Sequence, residues 1–234
     1  VASIFWWVVF PYITLTIFIV GLLYRYTFKQ STWTAPSTEI FEKKWLRIGS
    51  PLFHWGIIFA FIGHVMGVIL PIEFYDMFGI TEEMYHFGGI VGGGIAGLMV
   101  VVGLIILLIR KFSAPRVRAH AGFGDYFAVL IVLFVSIIGV YMTIIYNTTV
   151  IAYEYRVTIG PWFRSLFYFQ PKYVLMEEVP QIFQLHVISA FVLFASIPFT
   201  KLVHIFSVPI RYPARAPIQY RSRIGFRRQP QRNK

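Results

Sequence analysis

The 234-residue chain is 57% hydrophobic and 19% aromatic. Its 13% charged content, against about 25% in an ordinary soluble domain, excludes a soluble globular fold. The absence of cysteine excludes disulfides, thiolate zinc sites, cysteine-ligated iron–sulfur clusters and haem attached through cysteine. A formal charge of +11 would suggest a polyanionic partner in a soluble protein; here its meaning depends on where the bases fall.

Five apolar runs reach the length of about 20 residues that a helix needs to cross a bilayer. They are predicted at residues 3–24, 50–70, 84–109, 125–146 and 180–206. The first is too long, and lacks the basic leader, for a cleaved signal peptide, so it reads as a retained span. Pro71 stops the second run, Arg110-Lys111 and then Pro115 stop the third, and Pro209 follows the fifth. The expected fold is an all-α membrane protein, a bundle of five transmembrane helices in a single integral-membrane domain over residues 1–234.

The loops differ in charge. Arg25, Lys29, Lys43, Lys44 and Arg47 lie between the first two spans, with Glu39 and Glu42. Arg110, Lys111, Arg116 and Arg118 lie between the third and fourth. The tail, residues 207–234, holds Arg211, Arg215, Arg221, Arg223, Arg227, Arg228, Arg232 and Lys234 and no acid. By contrast, residues 71–83 hold Glu73, Asp76, Glu82 and Glu83 and no base. Lysine and arginine collect on the cytoplasmic side, so the N-terminus is expected outside and the basic tail in the cytoplasm. The charge is then a topology signal. No nucleic-acid partner is expected, because the bases sort by membrane side and form no recognition motif; the tail suits anionic membrane lipid or a cytoplasmic protein. The aromatic segment 161–169 is expected to lie in the outer interface.

The second span carries Phe53-His54-Trp55-Gly56 and, further on, Gly63-His64; the fifth carries His186 and His204. Titratable groups inside a span are costly and mark function. Antiparallel packing pairs His54 with His204 near the inner side and His64 with His186 near the outer. The intervals do not match: 18 residues rise about 27 Å and 10 residues about 15 Å. Two large planar cofactors between crossing helices absorb the difference, and Pro198 would bend the fifth span. Bis-histidine haem suits this set, since both axial positions are filled and the iron is left to transfer electrons. Gly56, Gly63, Gly67 and the run from Gly88 to Gly97 leave room for a flat ring or another helix. The bland readings are packed, hydrogen-bonded histidines and a small-xxx-small helix face. His120 reads as solvated and His86 as a residue at the mouth of the third span.

The stretch from His54 to Gly63-His64, the Gly93-Gly94-x-x-Gly97 run, Ser113-Ala114-Pro115-Arg116-Val117-Arg118, Phe183-Gln184-Leu185-His186 and Lys201-Leu202-Val203-His204 occur in this order. Together they resemble the cytochrome b (gamma) subunit of membrane-bound respiratory nitrate reductase, over nearly the whole chain. The resemblance implies a multi-pass protein of the prokaryotic cell membrane with two b-type haems. His64 and His186 would be iron ligands of the outer haem, His54 and His204 of the inner. It also implies that menaquinol or ubiquinol is oxidised near the outer haem, in a cleft beside Gly63 and His64. Electrons would pass to an iron–sulfur subunit and then to a molybdenum catalytic subunit that reduces nitrate. Some family members carry a lysine at the outer start of the third span. Here the sequence is Glu82-Glu83-Met84-Tyr85-His86, so Tyr85 or His86 is expected to bind a quinol oxygen or take its proton. Arg47, Arg110 and Lys201 are candidates to pair with haem propionates, or plain membrane anchors. Two rivals stay open: a haem b anchor of another respiratory oxidoreductase, and a histidine-lined proton or metal transporter.

Overall fold

The computed structural model describes residues 2–35, 37–150 and 153–207. The described residues form helices and connecting turns, and five helices are long and apolar enough to span a membrane: Ala2–Phe28, Lys44–Ile69, Glu82–Ser113, Phe123–Thr149 and Gln181–Phe199. Of the most apolar stretch of each, only 11–28% is buried, so most apolar side chains face outward, as a hydrocarbon solvent permits. The basic tail, apart from Ser207, lies outside the described residues.

The helix ends differ from the sequence expectation where charge or proline hides a continuing helix. The first span runs on through Arg25 because that guanidinium reaches across to the fifth span. The second starts at Lys44 and carries Pro51 inside the helix. The third starts earlier, where the Thr81 hydroxyl accepts the Met84 N–H at 3.3 Å and Glu82 and Glu83 sit in the positively polarised first turn. It ends at Ser113 because Pro115 forces Ala114 into an extended conformation.

Small residues set the packing of the second and third spans. A Cβ added at Gly56 would lie 2.8 Å from the Val100 nitrogen, and one at Gly103 would lie 2.6 Å from the Phe53 nitrogen. A Cβ at Gly97 would meet Val140 of the fourth span at 2.6 Å. These glycines therefore serve helix contact. Gly63, Gly88, Gly89 and Gly92 instead face open space, and Gly67 faces the hydroxyls of Tyr155 and Tyr85.

The fifth span is broken. Its α-helix ends at Ser196; Ile197–Phe199 forms a 3-10 turn, Thr200 is extended, and a second 3-10 segment runs over Lys201–Ser207. Pro198 has no N–H to continue the ladder. Arg25 Nη1 donates to the Pro198 carbonyl at 2.6 Å and the Thr200 carbonyl at 2.8 Å, satisfying the acceptors this break exposes. The expectation of one helix over 180–206 is thus corrected, and the five-turn interval from His186 to His204 does not apply.

The connection between the fourth and fifth spans folds back into the acid-rich end of the bundle. Its helix Ile159–Phe167 buries Trp162 and Leu166 in a cluster with Trp7, Met176, Phe183 and Phe191, and the Trp162 indole donates to the Trp7 carbonyl at 3.0 Å. Arg164 Nη1 donates to the Val68 carbonyl at 2.8 Å, where the second span ends in a π-helical turn, Val65–Ile69. The aromatic segment expected along an interface is therefore half plug: Trp162 is fully buried, while Phe167, Tyr168 and Phe169 are exposed.

Candidate functional site

Four histidines meet in two pairs. The ring centres of His64 and His186 are 6.1 Å apart with planes 18° from parallel, and those of His54 and His204 are 6.2 Å apart at 64°. A metal–imidazole bond of about 2 Å, with about 1.2 Å from nitrogen to ring centre, puts the centres of two axial imidazoles about 6.4 Å apart. Both pairs match that spacing. His54 Nδ1 donates to the Ser50 carbonyl at 2.7 Å, His64 Nδ1 to the Ala60 carbonyl at 2.6 Å and His204 Nδ1 to the Lys201 carbonyl at 2.5 Å. Backbone acceptance at Nδ1 leaves Nε2 free with its lone pair, the arrangement of a histidine metal ligand. His186 is the exception: its Nδ1 is buried without a partner. Gly139 makes room for that ring, since a Cβ there would lie 3.2 Å from His186 Cε1. The residues therefore fit a planar iron cofactor held between the second and fifth spans at each of two levels, and Gly63, beside His64, leaves open space there.

Tyr85 reaches Gly67, one turn beyond His64 on the second span, and His86 follows it in sequence, but neither stands alone. The Tyr85 and Tyr155 hydroxyls are 2.9 Å apart. The Arg156 guanidinium sits 3.8 Å over the Tyr85 ring. His86 Nε2 donates to Glu154 Oε2 at 3.0 Å. Glu154 also accepts Arg156 Nη2 at 2.6 Å, Arg156 Nε at 2.7 Å and the Arg156 backbone N–H at 3.0 Å. Burial pushes the Glu154 carboxyl up, but its bonds to Arg156 outweigh that and hold it below the usual carboxylate range. Burial pushes the Tyr155 hydroxyl up. Glu82, His86 and Glu154 each bring one ligand atom within 4.8 Å of the others, yet Arg156 already supplies the cation at Glu154. Glu154, Tyr155 and Arg156 were not legible as site residues, because they sit in a loop about 70 positions away in sequence.

At the base-rich end, Arg110 is 4% exposed and fully engaged. Its Nε reaches Glu42 Oε2 at 2.8 Å, and its terminal nitrogens reach the Thr38 hydroxyl and the Thr38 and Glu42 carbonyls. Lys201 Nζ binds Asp125 Oδ2 at 2.8 Å. Of the three candidates for propionates, Arg110 is thus committed to the loop after the first span and Lys201 to the start of the fourth. Arg47 is exposed. His120 is exposed, as expected, and stacks on Phe41 at 4.5 Å.

A five-span bundle with two facing histidine pairs, three of whose four members are held by a backbone carbonyl at Nδ1, fits a membrane-anchored cytochrome b. The chain matches the family described as nitrate reductase gamma subunit over residues 3–223. It is 44% identical to the nitrate reductase gamma chain of Bacillus subtilis over 93% of this chain and 97% of that one. It is 29% identical to the respiratory nitrate reductase 1 gamma chain of Escherichia coli, over 91% and 94%. It is 24% identical to the Hdr-like menaquinol oxidoreductase cytochrome b-like subunit of Archaeoglobus fulgidus, over 85% and 58%. The chain belongs to the nitrate reductase gamma subunit family, the membrane-anchored cytochrome b subunits of an electron-transporting oxidoreductase. It is a multi-pass protein of the prokaryotic cell membrane and a partner of the other nitrate reductase subunits.

Proposed function

We propose that the chain is the dihaem, quinol-oxidising anchor of a respiratory nitrate reductase. The observation that carries it is the pair of matched gaps, His64 to His186 and His54 to His204, at the spacing of two axial imidazoles. His64 and His186 hold the outer haem b and His54 and His204 the inner. When bound, the two groups supply one-electron transfer across the membrane. The orientation is the one the loop charges favour, with the N-terminus outside. The quinol, menaquinol or ubiquinol, docks beside Gly63 and His64, where the absence of a side chain leaves space. Tyr85 and His86 stand at that end to orient a quinol hydroxyl and take its proton. The more distant relative named as a menaquinol oxidoreductase subunit supports this substrate class.

Charge moving inward works against the usual membrane potential at about 2.3 kcal/mol per electron per 100 mV, which the downhill redox span must exceed. The acceptors are an iron–sulfur subunit and, beyond it, a molybdenum catalytic subunit, because this cysteine-free chain can ligate neither centre by thiolate. That same relative favours one second reading, the anchor of a different quinol-linked reductase. A transporter has less support: among the described residues Asp125 is at a span end and is paired with Lys201.

The test is a reduced-minus-oxidised optical spectrum with a haem count on the purified chain. The expected result is two b-type haems per polypeptide, with one lost on His64→Ala or His186→Ala and the other lost on His54→Ala or His204→Ala. A folded sample without haem would refute the proposal.

A further inference from the structure

The network at the acid-rich end has a charge count that bears on proton release. With a neutral imidazole, Glu82, Glu154 and Arg156 leave it one negative charge in excess. A proton arriving on His86 closes that count to neutral. The imidazolium would face Glu154 Oε2 at 3.0 Å and Glu82 Oε1 at 3.7 Å. Arg156, which would otherwise repel it, is held on both Glu154 oxygens and turned over the Tyr85 ring at 3.8 Å, with Tyr75 at 6.0 Å. Glu154 cannot swing away, because Arg156 is 4% exposed and binds it through three nitrogens. Glu82 differs: its side chain is 69% exposed, whereas those of His86 and Glu154 are 18% and 20% exposed. The three side chains therefore form a short path from a half-buried imidazole to water. The path begins one turn from Gly89, where the third span faces open space.

We propose that Glu154 is a positioning residue for proton release: clamped by Arg156, it orients His86 and supplies the counter-charge that lets His86 take a proton from the quinol and pass it to water by way of Glu82. This rests on the quinol-oxidising reading above. Oxidising a quinol to a quinone breaks two O–H bonds. The two electrons would leave one at a time to a haem held by His64 and His186, and the two protons leave in succession through His86. After each, the imidazole returns to neutral by losing its proton toward Glu82 and outside water. The titratable groups in contact with His86 are Glu82 and Tyr85 on its own helix and Glu154 on the connection after the fourth span; behind them, Arg156 binds Glu154 and covers the Tyr85 ring, Tyr155 meets the Tyr85 hydroxyl and Tyr75 packs on the Tyr85 ring. Of these only Glu154 is both fixed and in hydrogen-bond contact with His86.

The experiment measures quinol-driven reduction of the haem in membranes holding the whole complex, across the pH range in which a histidine titrates. Glu154→Gln removes the counter-charge and keeps the shape. The expected result is a kcat lower by about ten- to hundredfold, within the range of general acid–base effects, with KM and the dithionite-reduced spectrum unchanged. The acid limb of the pH profile should move to lower pH, because Glu154→Gln removes the carboxylate that faces His86 Nε2 at 3.0 Å. Glu154→Asp should restore most of the rate, and Glu82→Gln should slow it less than Glu154→Gln does. A wild-type kcat and pH profile in Glu154→Gln would overturn the proposal and leave the ion pair as a strut for the loop. If Glu154→Gln loses its haem, Glu82→Gln decides: a lowered kcat with unchanged KM and spectrum supports the path through Glu82, and a wild-type kcat overturns it. Failure of quinol to reduce the wild-type haem would overturn the quinol-oxidising reading itself, a result distinct from the loss of this step alone.

Discussion

Removing the Arg25 side chain should unseat one histidine and spare the other three. Arg25 lies in the first span and donates to the Pro198 and Thr200 carbonyls at 2.6 and 2.8 Å, just before the segment that carries His204. Hydrogen bonds to a charged donor contribute about 1.5–3 kcal/mol each; with one group partly exposed, about 3 kcal/mol for the two together is a fair total. That is about a hundredfold in the equilibrium between a seated and a released strap. Local opening of such a segment costs far less than global unfolding, so the change should appear there first. Arg25→Met should therefore lose haem from the His54–His204 level on mild heating while the His64–His186 level survives. Arg25→Lys, keeping charge but not the fork, should fall between. The assay is a haem count and spectrum against temperature. Equal retention of both haems in Arg25→Met would refute the reasoning, since it would mean that the 3-10 segment holds His204 without help from the first span.

Two further predictions concern packing and pH. Gly103→Ala places a methyl 2.6 Å from the Phe53 backbone nitrogen and should cost about 1–3 kcal/mol by forcing the second and third spans apart, whereas Gly89→Ala meets nothing within 4 Å and should leave thermal stability unchanged. Burial raises the Glu42 carboxyl, but hydrogen bonds from Trp45, Arg110 and Leu46 outweigh it and hold it below its usual range. A depressed carboxylate contributes stability that is fully present above its unfolded value and is lost as pH falls through the folded one. Acid titration of Arg110→Met should accordingly show a deficit that is largest at neutral pH and shrinks in strong acid to the part owed to the Thr38 hydroxyl and the Thr38 and Glu42 carbonyls; a pH-independent deficit would refute the pairing.

The site was legible in part. His54, His64, His186 and His204 stand out because a titratable group in an apolar run is anomalous, and antiparallel order alone dictates which could meet. The interval arithmetic failed for a local reason: Pro198 ends the α-helix, so His204 is carried on a 3-10 segment whose direction no helical period describes. Glycines were harder still. Gly56 and Gly63 look alike in sequence, yet one touches the third span and the other faces open space. Tyr85 and His86 were visible as polar residues at a span mouth, but their partners Tyr155 and Glu154 were not, because nothing local marks a loop residue as the partner of another about 70 positions away.

What the sequence determined by itself were quantities that depend on composition and local order. These are five membrane-length apolar runs, the sorting of bases between loops, a ligand chemistry without thiolates, and the family. Hydropathy and charge act residue by residue against the bilayer, so they can be read one residue at a time. Only the tertiary structure decided which polar groups are spent on one another. Arg110 is consumed by Thr38 and Glu42, Lys201 by Asp125, and Arg156 by Glu154, while the Nε2 atoms of His54, His64 and His204 are left to bind. In a low-dielectric interior each buried charge must find a partner, and partner choice is a matter of distance in space, which the order of residues along the chain does not contain.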